Sequence, residues 1–187
     1  DVADATAVAR LVDEINHRCP PLRGIIHAAG VLDDGVLRQQ SAERFAKVLA
    51  PKLLGAWNLH HQTQQLPLDF FVCFSSVASL FGSPGQSNYA AGNAFLDALA
   101  HHRRALGLPA QSINWGPWAE VGMAADDLIL GRLANLGIRA LTPSQGIQIF
   151  TDLLQSNGHG AAQVGVVPVD WLKLYKNFPG AQAPFFI

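Results

Sequence analysis

The sequence predicts an α/β protein built on a doubly wound parallel sheet, with helices on both faces. Short apolar runs of strand length alternate with stretches whose apolar residues recur at helical spacing, the order of parallel strands joined by crossover helices. Residues 70–106 give the clearest unit: an apolar run, a Ser/Gly/Pro/Asn loop, then a helical pattern. Polar side chains able to do chemistry gather where that strand ends and the helix starts, the crevice in which open α/β sheets bind ligands.

In chain order, Asp4 is placed to cap a helix bearing Val8, Leu11, Val12 and Ile15, and Pro20 and Pro21 stop it. Residues 23–29 read as a strand ending in the small residues Ala28, Ala29 and Gly30, where a flat ligand or another backbone can approach closely. A loop with Leu32, Asp33 and Asp34 leads to a helix capped by Ser41, with Phe45, Val48 and Leu49 apolar. Pro51 interrupts or kinks it, and residues 52–65 continue the helical pattern through Leu53, Leu54, Trp57 and Leu59. After residues 70–106, Gly107-Leu108-Pro109 punctuates and residues 110–115 form a strand ending in Gly116-Pro117-Trp118. Residues 121–138, with three glycines and a helical run around 127–136, are expected to form a mobile flap. Thr142-Pro143 opens a helix to about Leu154. Residues 163–167 are a last strand, and residues 171–187 an apolar, aromatic tail.

The 187 residues suffice for one domain with a substantial core. A hydrophobic content of 49%, a charged content of 14% and a net charge of -1 leave no basic stripe for nucleic acid. The apolar runs are too short for a transmembrane helix and no secretory pattern opens the chain, so neither membrane nor nucleic acid is an expected partner. Cys19 and Cys73 make no disulfide framework, and a reducing, cytoplasmic setting is the expectation. The pairs His60-His61 and His101-His102 point to different sides of a helix, and no metal site is expected.

Only Tyr89, of two tyrosines, lies at a strand-to-helix junction, and Asn93 four residues on shares its helix face. A phenol with a pKa near 10 needs help to act near neutrality, and a nearby ammonium would lower that value. Lys52 begins the helix before the Phe70 strand and could reach the same crevice, and Ser76 offers a hydroxyl at the strand end. Each alone has a plainer reading: a Ser pair as a turn or cap, a tyrosine as partly buried core, a lysine or asparagine at the surface. Asp33 and Asp34 fit a turn better than a carboxylate pair.

Together, Lys52, Ser76, Tyr89 and Asn93, with HAAGVLDDGVL at residues 27–37 and NWGPW at residues 114–118, resemble the ketoreductase domain of modular polyketide synthases. That family is a branch of the short-chain dehydrogenase/reductase superfamily in which the usual catalytic Lys and Asn positions are exchanged, as here. The resemblance covers the chain to about Trp171. It implies a Rossmann-like fold, of which this would be the C-terminal part of the catalytic subdomain. It also implies a ketoreductase domain over residues 1–171 and a tail or linker toward a downstream carrier domain over residues 172–187.

The implied activity is NADPH-dependent reduction of the β-keto group of a chain carried on the phosphopantetheine of an acyl carrier protein, with other synthase domains in cis. Tyr89 would protonate the keto oxygen, Ser76 would hydrogen-bond it, and Lys52 and Asn93 would orient the cofactor ribose and the tyrosine, or a relay water. Asp1, with Val2, resembles the family's adenine contact. His27, Ala28, Ala29, Gly30 and Ser75 would line the cofactor's path, and Gly116 and Pro117 would meet the nicotinamide. The triplet Leu32-Asp33-Asp34, with Pro84 and Asn88, is similar to the B-type pattern that gives a D-configured hydroxyl. Phe81 stands where A-type domains carry tryptophan, Met123 lies in the substrate lid, and Gly92 in place of proline points to no epimerisation. No Gly-x-Gly-x-x-Gly follows a strand, so the chain is expected to begin after the phosphate-binding half and to belong to a longer polypeptide. The alternatives are a non-catalytic ketoreductase-like scaffold and a reductase of a fatty acid or glycolipid synthase.

Overall fold

The computed structural model describes residues 1–122, 127–155 and 160–177. Helix α1 (Ala5–Arg18) starts at the expected cap, where Asp4 Oδ1 accepts from the backbone N–H groups of Thr6 and Ala7. Val8 and Val12 are buried, while Leu11 is exposed. Strand β1 (Gly24–His27) follows. A 3-10 turn at Leu37–Gln39 precedes α2 (Ala42–Leu49), capped by the Ser41 hydroxyl accepting from Arg44 N–H.

Pro51 does not end this helix. Its ring would clash with the carbonyl one turn back and it has no N–H to give. The backbone widens into a π-helical turn, Ala50–Leu54, closed by Gly55 N–H donating to Ala50 O, and resumes as α3 (Gly55–Thr63). Strand β2 (Phe70–Ser76) pairs parallel with β1, with His27 opposite Cys73. The loop after β2 contains a four-residue helix, α4 (Ala78–Phe81), too short to show a hydrophobic period in the sequence. Helix α5 (Ser87–Ala105) begins two residues before Tyr89. Strand β3 (Gln111–Trp115), α6 (Asp127–Asn135), α7 (Pro143–Gln155), β4 (Gln163–Val166) and α8 (Trp171–Asn177) complete the order.

The sheet order is β1-β2-β3-β4, the order of the sequence. On the sheet, α2 and the π-turn pack on α5. Phe71 and Cys73 of β2, Ala56 of α3 and Leu96 and Leu99 of α5 form the core there. Burying each large side chain stabilises by about 1.5–3 kcal/mol.

The chain divides into two units. The first is Asp1–Asn114 with Leu154–Gly165. In the second, Trp115–Leu153 with the described residues from Val166, Leu141 N–H donates to Pro117 O and Thr142 Oγ1 accepts from Gln145 N–H at the start of α7. Residues 171–187, expected as an apolar, aromatic tail, open with α8. Its regularity is local: Leu174 N–H and Lys173 N–H both bond to Asp170, which caps it. Residues 178–187 lie outside the described residues. Among the described residues no helix is long and apolar enough to cross a membrane.

Candidate active site

Three elements of the first unit bring the expected polar residues together. Helix α5 carries Tyr89 and Asn93 one turn apart, β2 ends at Ser76, and the π-turn presents Lys52. Lys52 is 2% exposed, with its ammonium over the Tyr89 ring, 5.3 Å from the centroid, and 3.4 Å from Phe74 O. Its stem runs against Gly92. A Cβ on Gly92 would stand 3.2 Å from Lys52 Cδ and 3.4 Å from its Cβ. A glycine inside a helix costs about 1 kcal/mol relative to alanine; here the lysine stem lies against it.

Burial pushes the Tyr89 phenol above its usual range, and the Ser76 and Asn93 side chains that hydrogen-bond it pull the other way. The sequence leads one to expect the opposite, a phenol lowered by an ammonium. Lys52 sits over the ring face, and desolvation is the larger effect. The Lys52 ammonium is itself lowered to about 8, chiefly by burial, against the opposing charges of Cys73 and Asp97. The Cys73 thiol is pushed up to about 12 by its own burial and is neutral at pH 7, so Asp97 is the carboxylate that offsets the loss of water around Lys52.

Hydrogen bonds fix the acceptors and donors. Ser76 Oγ accepts from Ala78 N–H at 3.2 Å, which leaves the hydroxyl proton for another partner. Asn93 Nδ2 donates to Tyr89 O at 2.8 Å, and this turns Oδ1 inward, fully buried and without a hydrogen-bond partner. Ser75 Oγ donates to Asn93 O at 3.2 Å.

Leu32, Asp33 and Asp34 form a clasp rather than a free acidic pair. Asp33 Oδ1 accepts from Arg44 Nε at 2.7 Å and Oδ2 from Lys47 Nζ at 3.1 Å. Its carbonyl accepts from Asn88 Nδ2, and Asn88 Oδ1 accepts from Tyr89 N–H, both at 2.8 Å. Gln86 Nε2 donates to Asp34 Oδ2, and Gly35 N–H donates to Gly85 O. The triplet is thereby tied to the start of the tyrosine helix. Arg44 and Lys47, the cations of this clasp, are not singled out by the sequence, although their helix follows the triplet directly.

The remaining candidates are more dispersed. Asp1 Oδ1 accepts from Ala3 N–H, and Val2 packs on Gly55, where a Cβ would lie 2.7 Å from Val2 Cγ2. His27 is buried, its imidazole lowered to about 4 by desolvation and then by the Lys52 charge. Ala28 is exposed and Ala29 and Gly30 half-buried. Phe81 ends α4 and Pro84 is exposed in the loop before α5. Gly116 and Pro117 are buried and belong to the second unit, and Met123 lies outside the described residues. The sequence also gives no prominence to Asp97, although its four-residue step from Asn93 extends the face of Tyr89 and Asn93.

These residues suit a hydroxyl-rich ligand. A buried amide oxygen left unpaired costs about 1–3 kcal/mol, and Asn93 Oδ1 is such an acceptor. Lys52 has three N–H donors and one long bond to Phe74 O. An unused acceptor beside underused donors fits a ribose, a water or a carbonyl group at this strand end. Among the described residues no group of His, Cys, Asp and Glu could hold a metal ion.

The KR domain family model matches residues 1–120. The chain is 47% identical over 171 residues, 91% of its length, to polyketide synthase GfsB of Streptomyces halstedii, but spans only 3% of that protein. It is 45% identical over 80% of its length to a phenolphthiocerol synthesis polyketide synthase of Mycobacterium tuberculosis whose name describes it as inactive, and spans 10% of it. The ketoreductase from the first module of phoslactomycin biosynthesis in Streptomyces sp. HK803 superposes with a TM-score of 0.89 at 35% identity, over 97% of this chain and 41% of that one. An A-type ketoreductase from a modular polyketide synthase gives 0.88 at 38% identity, over 96% and 37%.

Proposed function

Because the chain belongs to the KR domain family of the modular polyketide synthases, we propose that it carries the proton-donating half of a β-ketoacyl reductase, acting on a thioester held by an acyl carrier protein. The observation that carries this reading is the convergence of Tyr89, Ser76, Asn93 and a buried Lys52 at one strand end. NADPH, when bound, supplies a hydride to the β-carbon of the keto group. Tyr89 then gives its phenolic proton to the oxygen, so the C=O double bond becomes a CH–OH. A phenol held above its usual range is protonated at neutral pH, the state that reduction requires.

Ser76, whose side chain hydrogen-bonds the phenol, donates its hydroxyl proton to the same keto oxygen and so favours the charge that develops there. Lys52 supports the phenolate left behind, and with Asn93 Oδ1 orients the cofactor ribose or a relay water. Asp1, Val2, His27, Ala28, Ala29, Gly30 and Ser75 are assigned to the cofactor's path, and Gly116 and Pro117 to the nicotinamide. The clasp of Asp33 and Asn88 favours the B-type outcome, a D-configured hydroxyl. The likeness to an A-type structure is one of fold and does not bear on the hand of the product.

A relative named as inactive gives substance to the scaffold alternative. The test is to offer the full-length chain NADPH and a β-ketoacyl thioester of its carrier protein, following cofactor oxidation and the configuration of the product. Reduction to the D-hydroxy thioester is expected. A chain that neither binds NADPH nor reduces the thioester is a scaffold, and an L-hydroxy product overturns the B-type assignment alone.

A further inference from the structure

Tyr89, Asn93 and Asp97 recur every four residues on α5 and so share one face. Asp97 is 7% exposed, yet among the described residues it forms no salt bridge. Its carboxylate is held by neutral donors from three other positions. Ser112 Oγ of β3 donates to Oδ1 at 2.6 Å and Ser79 Oγ of α4 lies 2.7 Å from Oδ2. Asn114 Nδ2, also of β3, lies 3.0 and 2.9 Å from the two oxygens. The same Nδ2 reaches Ser75 Oγ at 3.0 Å, and Gln163 Nε2 of β4 donates to Asn114 Oδ1 at 3.1 Å. Ser79 Oγ is also 2.8 Å from Ser76 O.

A buried carboxylate without a cation is costly unless its lone pairs are filled. Here they are filled from β3, by Ser112 and Asn114, and from α4 just after β2, by Ser79, and Ser79 and Asn114 in turn reach Ser76 O and Ser75 Oγ at the end of β2. We propose that Asp97 is a positioning residue for the reduction, anchoring the β2 and β3 ends to α5 so that Ser76 stays aligned with Tyr89 and supplying the fixed negative charge of the Lys52 environment. This rests on the reductase reading of the same site. The Lys52 ammonium lies over the Tyr89 ring of α5, and the groups coupled to its charge are Cys73 of β2, Asp97 of α5 and His27 of β1. The thiol stays protonated and the imidazole neutral between pH 6 and pH 9, in the order of about 12 and about 4, which leaves Asp97 as the acid of the set that favours the charged form of Lys52. Removing it lets Lys52 lose its proton at lower pH.

The experiment is Asp97→Asn in the full-length chain, with kcat and KM measured from pH 6 to pH 9. Lys52 titration is read in parallel, without turnover, by pH-dependent competitive acylation and mass spectrometry. Expected are a fall in kcat of about tenfold at neutral pH with KM little changed, and a shift of about one pH unit toward acid in both the basic limb and the Lys52 titration. Ser112→Ala, which keeps the charge and removes one anchor, should lower kcat a few-fold without moving the limb. An unshifted Lys52 titration in folded Asp97→Asn overturns the proposal. If that variant does not fold, wild-type kcat in both Ser112→Ala and Ser79→Ala does so instead. An inactive wild-type chain defeats the reductase reading, whereas the labelling still decides the role of Asp97.

Discussion

At Lys52, burial and charge oppose each other within a few ångströms. Its ammonium is almost wholly removed from water, and its pKa of about 8 records the cost. A drop from 10.5 to about 8 corresponds to a penalty on the order of 3 kcal/mol for holding the charge at neutral pH. Such a residue is retained for its charge, since a methionine would fill the space without that penalty. Lys52→Met in the full-length chain should therefore raise the thermal unfolding midpoint while lowering ketoreduction at least tenfold; calorimetry and a reduction assay check the two halves. Where the charged form is required, wild-type kcat/KM should decline as pH rises through about 8. The sequence shows that a lysine precedes the Phe70 strand but not that it points inward, because its direction depends on the π-turn.

Elements were legible wherever a local rule decided them. Asp4, Ser41 and Thr142 mark three helix starts that the structure bears out. Helix α4 escaped because four residues carry no period, and α8 because its seven residues read as part of an apolar tail. Pro51 announced an irregularity whose form, a widened turn, the sequence does not encode at any single position. The loop of Asp33 and Asp34 is the element on which product configuration is expected to depend. Its acids are occupied by Arg44, Lys47 and Gln86, so they act by holding the loop against the start of α5. Asp33→Ala should loosen that hold and yield a measurable fraction of L-hydroxy product, read by chiral chromatography of the released acids. An undiminished D excess would show that the clasp does not govern the hand of the product.

The molecule as a whole should lose stability in acid through two buried imidazoles. His27 is lowered to about 4 by desolvation and the Lys52 charge, and His60, which accepts from Arg103 at 3.0 Å, is lowered by burial and then by that guanidinium. In the unfolded chain both take up protons near 6.5. Between that value and the folded pKa the unfolded state binds more protons, so the stability present above 6.5 declines as pH falls toward about 4. Denaturation midpoints of the full-length chain measured from pH 7.5 to pH 4.5 should drop steadily, and less so in His60→Gln. This pair is invisible in the sequence, where His60 and Arg103 stand far apart. The account of function, by contrast, rests on a site whose members could be named from the chain and whose geometry needed the fold. Its most direct test is single-turnover reduction of a carrier-bound β-ketoacyl thioester by full-length Tyr89→Phe with saturating NADPH. The account predicts a rate at least a hundredfold below wild type with cofactor binding intact; near-normal turnover would contradict it.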